Sequence, residues 1–94
     1  MFKELDPLLH SELRLAIMSI LITVAEADFV YIKEQTKATA GNISVQIEKL
    51  KEAGYIEVER GFLGKRTRTV CKVTPKGSQA FKGYVEALKG YLNL

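Results

Sequence analysis

From Thr39 to Thr74 the chain reads TAGNISVQIEKLKEAGYIEVERGFLGKRTRTVCKVT, and this order of elements leaves little choice of fold. Ile43, Ile47 and Leu50 recur at helical spacing behind Thr39, a residue type that caps helix N-termini, and Gly54 supplies a stop. Tyr55, Ile56 and Val58 then begin an extended segment. Gly61 and Gly64 bracket a turn, and Thr67 to Val73 return rich in β-branched residues. A helix, a stop and a basic hairpin therefore follow one another without a linker.

Upstream, Asp6, Pro7 and Ser11 are helix-start residues, and a periodic segment from about Glu12 to Glu26 follows with no internal Gly or Pro. On a helical wheel Leu13, Ile17, Ile20, Leu21 and Val24 share one face, while Leu15, Met18, Ile22 and Ala25 fall opposite. A helix apolar on both sides needs two partners. Ala27 to Phe29 reads as a short strand or loop, and Val30 to Lys37 as a short second helix anchored by Ile32, with Lys37 and Ala38 turning into the third. Thr74-Pro75 starts a last helix, since Pro suits the first helical position behind a Thr cap. That helix runs close to the C-terminus, although Gly77, Gly83 and Gly90 lower its intrinsic propensity.

At 94 residues, residues 1–94 are expected to form one domain. A composition of 47% hydrophobic and 27% charged residues is that of a globular chain and not of a disordered tail. The net charge of +3 is modest, so its distribution carries the information. Residues 1–30 hold Lys3 and Arg14 against Glu4, Asp6, Glu12, Glu26 and Asp28, whereas Arg60 to Lys76 hold six basic residues and no acid. One cysteine, Cys71, allows neither an intrachain disulfide nor a multi-cysteine metal site, which fits a reducing, cytoplasmic setting. The longest apolar run, Leu15 to Ala25, is shorter than the roughly 20 residues that span a bilayer, so no membrane partner is expected.

The third helix turns Asn42, Ser44, Val45, Glu48 and Lys49 outward, with Gln46 at the flank. In a helix-turn-helix the start of the second helix approaches base edges, and amides such as Asn and Gln can bond two atoms of adenine. Thr39 and Ser44 could donate to phosphate, helped by the free N–H groups at the helix start. Taken alone, that face is equally a solvated polar surface. The hairpin shifts the balance, because Lys65, Arg66 and Arg68 at its tip can lie along a phosphate backbone or enter a minor groove. Double-stranded DNA is the expected partner.

These residues resemble the winged helix-turn-helix transcriptional regulators of the MarR and ArsR type, especially their small one-domain members. The resemblance covers nearly the whole chain. It is carried by GN-x-S at Gly41 to Ser44, L-x-x-A-G-Y-I at Leu50 to Ile56, F-x-G-K-R at Phe62 to Arg66, and V-T-x-x-G at Val73 to Gly77. It implies an α+β winged helix-turn-helix, mostly helical with a β-hairpin wing, acting as a homodimeric repressor on a roughly palindromic operator. Asn42, Ser44, Val45, Gln46 and Lys49 would then belong to the reading helix, and Lys65, Arg66 and Arg68 to the wing. Members of the group often carry a basic residue and a His where this chain has Val45-Gln46. The ArsR-type metal sensors use paired Cys or His ligands, a set that the solitary Cys71 and His10 do not reproduce.

A dimer is expected on independent grounds. Phe81, Val85, Leu88 and Leu92 make one stripe of the last helix, and Tyr84, Ala87, Ala80 and Tyr91 widen it beyond the roughly 100° of a surface helix. Joined with the second face of the first helix, the two-fold contact would use Leu15, Met18, Ile22, Tyr84, Leu88 and Tyr91. It would set two reading helices about 34 to 36 Å apart. The alternative is that the two faces cover each other within one monomer.

No catalytic constellation assembles from one His, one Cys and no Gly-rich phosphate loop, so neither enzymatic activity nor a cofactor is expected. His10 reads as a cap or packed imidazole and Cys71 as a small core residue. A different class of function, a winged helix that docks on proteins within a larger assembly, stays open; the acid-free stretch from Arg60 to Lys76 weighs against it. The space between dimer helices and reading helix leaves room for a small-molecule effector, but no residue set names one.

Overall fold

The computed structural model describes residues 2–94. Its elements run α1 (Glu12–Val24), β1 (Glu26–Asp28), α2 (Phe29–Thr36), α3 (Ala40–Glu52), β2 (Ile56–Leu63), β3 (Arg66–Val73) and α4 (Pro75–Leu92). Four helices and a three-stranded antiparallel sheet of order β1-β3-β2 give the winged-helix arrangement read from the sequence.

Local chemistry fixes most of the boundaries. The hydroxyl of Thr39 accepts from the Asn42 N–H at 3.2 Å, and that of Thr74 from the Gly77 N–H at 3.0 Å, each satisfying a donor that an α-helix start leaves open. The Asp28 carboxylate does the same for Tyr31, at 2.8 Å. α1 stops at Val24, short of the expected Glu26, because Ala25 takes a positive φ of 70° and the next three residues are captured as β1, with Ala27 opposite Cys71. The turn between α2 and α3 is made by Lys37 in the left-handed region, at φ 58°.

The hairpin differs from the expected one. Gly61 does not bracket a turn; it lies inside β2 opposite Arg68, and pairing continues to Leu63 and Arg66. The turn is Gly64-Lys65 alone, with Gly64 at φ 65°, which fits the glycine position of a two-residue hairpin loop. The wing is therefore two full strands of eight residues each.

Ile17, Met18 and Leu21 of α1, Ile32 of α2, Ile43, Ile47 and Leu50 of α3, Ile56 and Cys71 of the sheet, and Leu9 form one buried cluster closed by Tyr84 of α4. Met18 and Tyr84 were expected at a dimer contact; at 0% and 5% exposure they have no surface to offer one. The reason is geometric. The buried arc of α1 straddles both sides of the wheel because the helix packs on α2, α3, β3 and α4 together. Leu15 and Leu88 are half-buried against the same cluster, while Ile22 and Tyr91 remain exposed.

The N-terminal segment is tied down by polar contacts: Asp6 accepts from the Leu8 N–H at 2.9 Å and from the Tyr55 hydroxyl, and the His10 ring meets the Tyr84 hydroxyl at 3.0 Å. Burial, then the hydrogen bond and charge of Asp6, push the Tyr55 phenol from 10.0 up to about 12. Burial pushes the Cys71 thiol from 9.0 up to about 11, against a smaller opposing pull from Arg60. Both groups hold their protons more tightly folded than unfolded, so above pH 9 the unfolded chain binds fewer protons and stability falls as pH rises. Urea midpoints should drop between pH 9 and about 12, and Cys71→Ala should flatten the lower part of that decline. A midpoint that is flat to pH 11 would contradict the burial argument.

Candidate nucleic-acid interface

α3 buries Ile43, Ile47 and Leu50 and leaves Asn42, Ser44, Val45 and Lys49 exposed on the other side. Its first two turns carry no charged side chain, since Glu48 and Lys49 come only later. That makes the helix start a polar surface with no fixed carboxylate to repel phosphate.

Gln46 is placed differently from its neighbours. It is half-buried, its Oε1 accepts from Arg14 Nη1 at 2.5 Å, and its Nε2 donates to Asn42 Oδ1 at 2.9 Å. Arg14 also donates from Nε to the Leu8 carbonyl at 2.5 Å. A relay thus runs from the N-terminal segment through α1 to the exposed face of α3. Asn42 and Gln46 are therefore coupled to each other and are not two independent amides. With its oxygen engaged, Asn42 presents chiefly its NH₂ group, a donor suited to acceptor atoms such as guanine N7 and O6 or thymine O4. Arg14→Ala should free Gln46 to compete for base contacts. Random-duplex selection should then return an altered preference at one or two base pairs, with the salt slope of binding changed by less than half a unit. An unchanged selection would show that the relay positions nothing.

The wing has two unlike faces. Alternation along the strands puts Ile56, Val58, Arg60 and Phe62 on the side of the core and α3, paired with Val73, Cys71, Thr69 and Thr67. Arg60 and Thr69 meet Ser44, Ile47 and Phe29 in a cleft of about 250 Å³ between α3 and the sheet. On the opposite face the carboxylates gather. Arg68 Nε lies 3.5 Å from Asp28, and Lys72 lies 3.1 Å from Glu59 and 3.7 Å from Glu26. The hydrogen bond to Glu59, then the charges of Glu59 and Glu26, raise the Lys72 pKa above its ordinary value.

The wing cations thereby separate into two sets. Arg60, Lys65 and Arg66 are exposed and have no ion-pair partner among the described residues, whereas Arg68 is partly neutralised by Asp28. Arg60 is the residue missed by sequence reasoning. The signal was present, because counting by twos from the buried Ile56 places Arg60 on the inner face beside α3. Among the described residues no cluster of His, Cys, Asp and Glu could hold a metal ion, and no helix is long and apolar enough to cross a membrane.

A capped helix exposing a neutral polar start, set beside a hairpin with uncompensated cations, is a geometry for meeting a duplex. Residues 13–92 match the family model of the winged helix DNA-binding domain. The chain belongs to that family. An uncharacterised protein of Methanocaldococcus jannaschii is 34% identical to this winged helix domain over 76 residues, covering 81% of this chain and 83% of its own. The structure of a transcriptional regulator homologue from Pyrococcus horikoshii is similar with a TM-score of 0.84 and 28% identity, covering 92% of this chain and 85% of that one. BldR of Sulfolobus solfataricus, a transcriptional regulator, shares the fold at a TM-score of 0.72 and 22% identity; the match covers 88% of this winged helix domain and 58% of BldR.

Proposed function

We propose that this winged helix domain is a transcriptional regulator that binds a pseudo-palindromic operator as a homodimer and represses by occupying the promoter. α3 would enter the major groove with Thr39, Asn42, Ser44, Val45 and Lys49, backed by Gln46, and the wing would lie on the backbone or minor groove through Lys65, Arg66 and Arg68. The observation that carries the reading is the segregation of charge: Arg60, Lys65 and Arg66 stand uncompensated at or near the wing tip while Asp28, Glu26 and Glu59 pair with Arg68 and Lys72 on its rear face. Titration of a mixed-sequence duplex at 50 mM salt tests it. Absence of binding there would favour a protein-docking module instead.

The dimer is supported by apolar surface that the monomer leaves uncovered at the end of α4, where Tyr91, Leu92 and Leu94 are all exposed. Phe2 stacks on Tyr91 with ring centroids 5.0 Å apart and extends the same patch. Because Leu92 is outside the monomer core, Leu92→Lys should leave the fold intact. We expect a change from dimer to monomer in sedimentation and a loss of operator affinity of about a hundredfold, since one half-site then binds alone. A variant that remains dimeric would move the contact elsewhere.

A further inference from the structure

Among the described residues Phe62 and Leu63, at 76% and 68% exposure, are more exposed than any other large apolar side chain except Leu94. They sit immediately before the Gly64-Lys65 turn, opposite Thr67 and Arg66, so the tip of the wing carries an apolar side chain on each of its faces. A hairpin end needs no such residues for its own stability, and neither side chain belongs to the core cluster or packs against it.

What surrounds the pair identifies its counterpart. Arg60, Lys65 and Arg66 flank it, no acid occurs between Arg60 and Lys76, and the turn itself contributes a lysine. That ring of positive charge favours a polyanion with an apolar interior that can be opened. A duplex meets the description, because its stacked bases lie behind two rails of phosphate. Two strands with axes about 4.8 Å apart make a ribbon wider than a minor groove of about 6 Å, so it is the tip side chains and not the ribbon that would enter, and their entry widens the groove.

We infer that Phe62 and Leu63 form an apolar wedge that enters the minor groove of bound DNA and partly unstacks one base step, while Arg60, Lys65 and Arg66 hold the phosphates on either rim. The inference rests on the DNA-binding reading above and adds a second kind of specificity to it. A wedge selects steps that unstack easily, such as TA, and kinks the duplex toward the major groove. Sequence is then read twice, by base edges at α3 and by deformability at the wing.

These 94 residues contain no tryptophan, so Phe62→Trp in this chain provides a single reporter. On saturation with a 40-base-pair duplex rich in TA steps, its emission should be quenched at least twofold by base stacking and its access to acrylamide reduced at least threefold. In parallel, Phe62→Ser with Leu63→Ser should halve the binding-induced bend measured by energy transfer between the duplex ends. It should also reduce a preference of about tenfold for TA-rich over TA-free duplex to less than twofold, with the salt slope unchanged because no cation is lost. If the reporter stays as accessible on DNA as free, or the double variant bends DNA like the parent, the wedge is wrong although DNA binding stands. Protection by anionic vesicles without protection by duplex would overturn it in favour of a lipid surface. Failure of the parent protein to bind any duplex at 50 mM salt would remove the wedge and the DNA-binding reading together.

Discussion

Gly77→Ala should destabilise the protein by about 3 kcal/mol, the upper end of what forcing one extra methyl group into a packed site costs. A Cβ at position 77 would stand 2.1 Å from the Tyr55 carbonyl oxygen, 2.9 Å from its carbon and 3.1 Å from its Cα. These are backbone atoms, so no rotamer change can make room. Nor can the backbone easily withdraw. The Tyr55 carbonyl accepts from the Thr74 N–H at 3.1 Å, the Thr74 hydroxyl donates to the Gly54 carbonyl at 2.7 Å, and Gly54 itself sits at φ 79°. Pushing α4 away would open this knot, which joins the end of α3, the start of the wing and the start of α4. At roughly 4 to 8 °C per kcal/mol for a domain of this size, the melting temperature should fall by about 12 to 24 °C. Gly83→Ala is the matched control, because nothing lies within 4 Å of its Cβ position in the middle of α4. There the helix should gain about 0.5 to 1 kcal/mol. Circular dichroism melts of the two variants, moving in opposite directions, check the argument; a Gly77→Ala melt within 3 °C of the parent would refute it.

Gly77 also shows what a sequence can and cannot disclose. Propensity marks it as a weakness in α4, and only the approach of a distant backbone turns that weakness into a requirement. The elements themselves were legible because their signals are local: Thr39 and Thr74 as caps, Gly54 as a stop, β-branched residues along β3. The face of α1 was less so. Two apolar stripes were visible, but which of them the monomer would claim depends on several neighbouring elements at once, and Met18 went to the core with Tyr84. The site divides in the same way. Composition exposed a basic wing, whereas the ranking of its cations depends on Asp28, Glu26 and Glu59, acids brought opposite by strand pairing. The engagement of Gln46 by Arg14, thirty-two positions away, left no trace in local pattern.

That ranking gives the second large effect. Removing Arg60, Lys65 and Arg66 together should lower the salt slope of DNA binding by about 2.7 units per protomer, at about 0.9 per phosphate contact. At 50 mM salt the accompanying loss of affinity should be on the order of a thousandfold and nearly the same on every sequence. Arg68→Ala should do far less, a slope change well below the roughly 0.9 of a free cation, because the Asp28 carboxylate already offsets that charge. The converse variant discriminates more sharply. Asp28 caps α2 by accepting from the Tyr31 N–H, a role that asparagine can also fill, so Asp28→Asn should keep the fold while releasing Arg68. Its expected result is a gain: tighter binding to mixed-sequence DNA by several-fold and a steeper salt dependence by up to one unit. Fluorescence anisotropy across 50 to 200 mM salt measures both quantities for all three variants. Were Arg68→Ala to lower the slope by as much as one third of the triple variant's change, or Asp28→Asn to leave the slope unmoved, the division of the wing into free and compensated cations would not govern how it meets DNA.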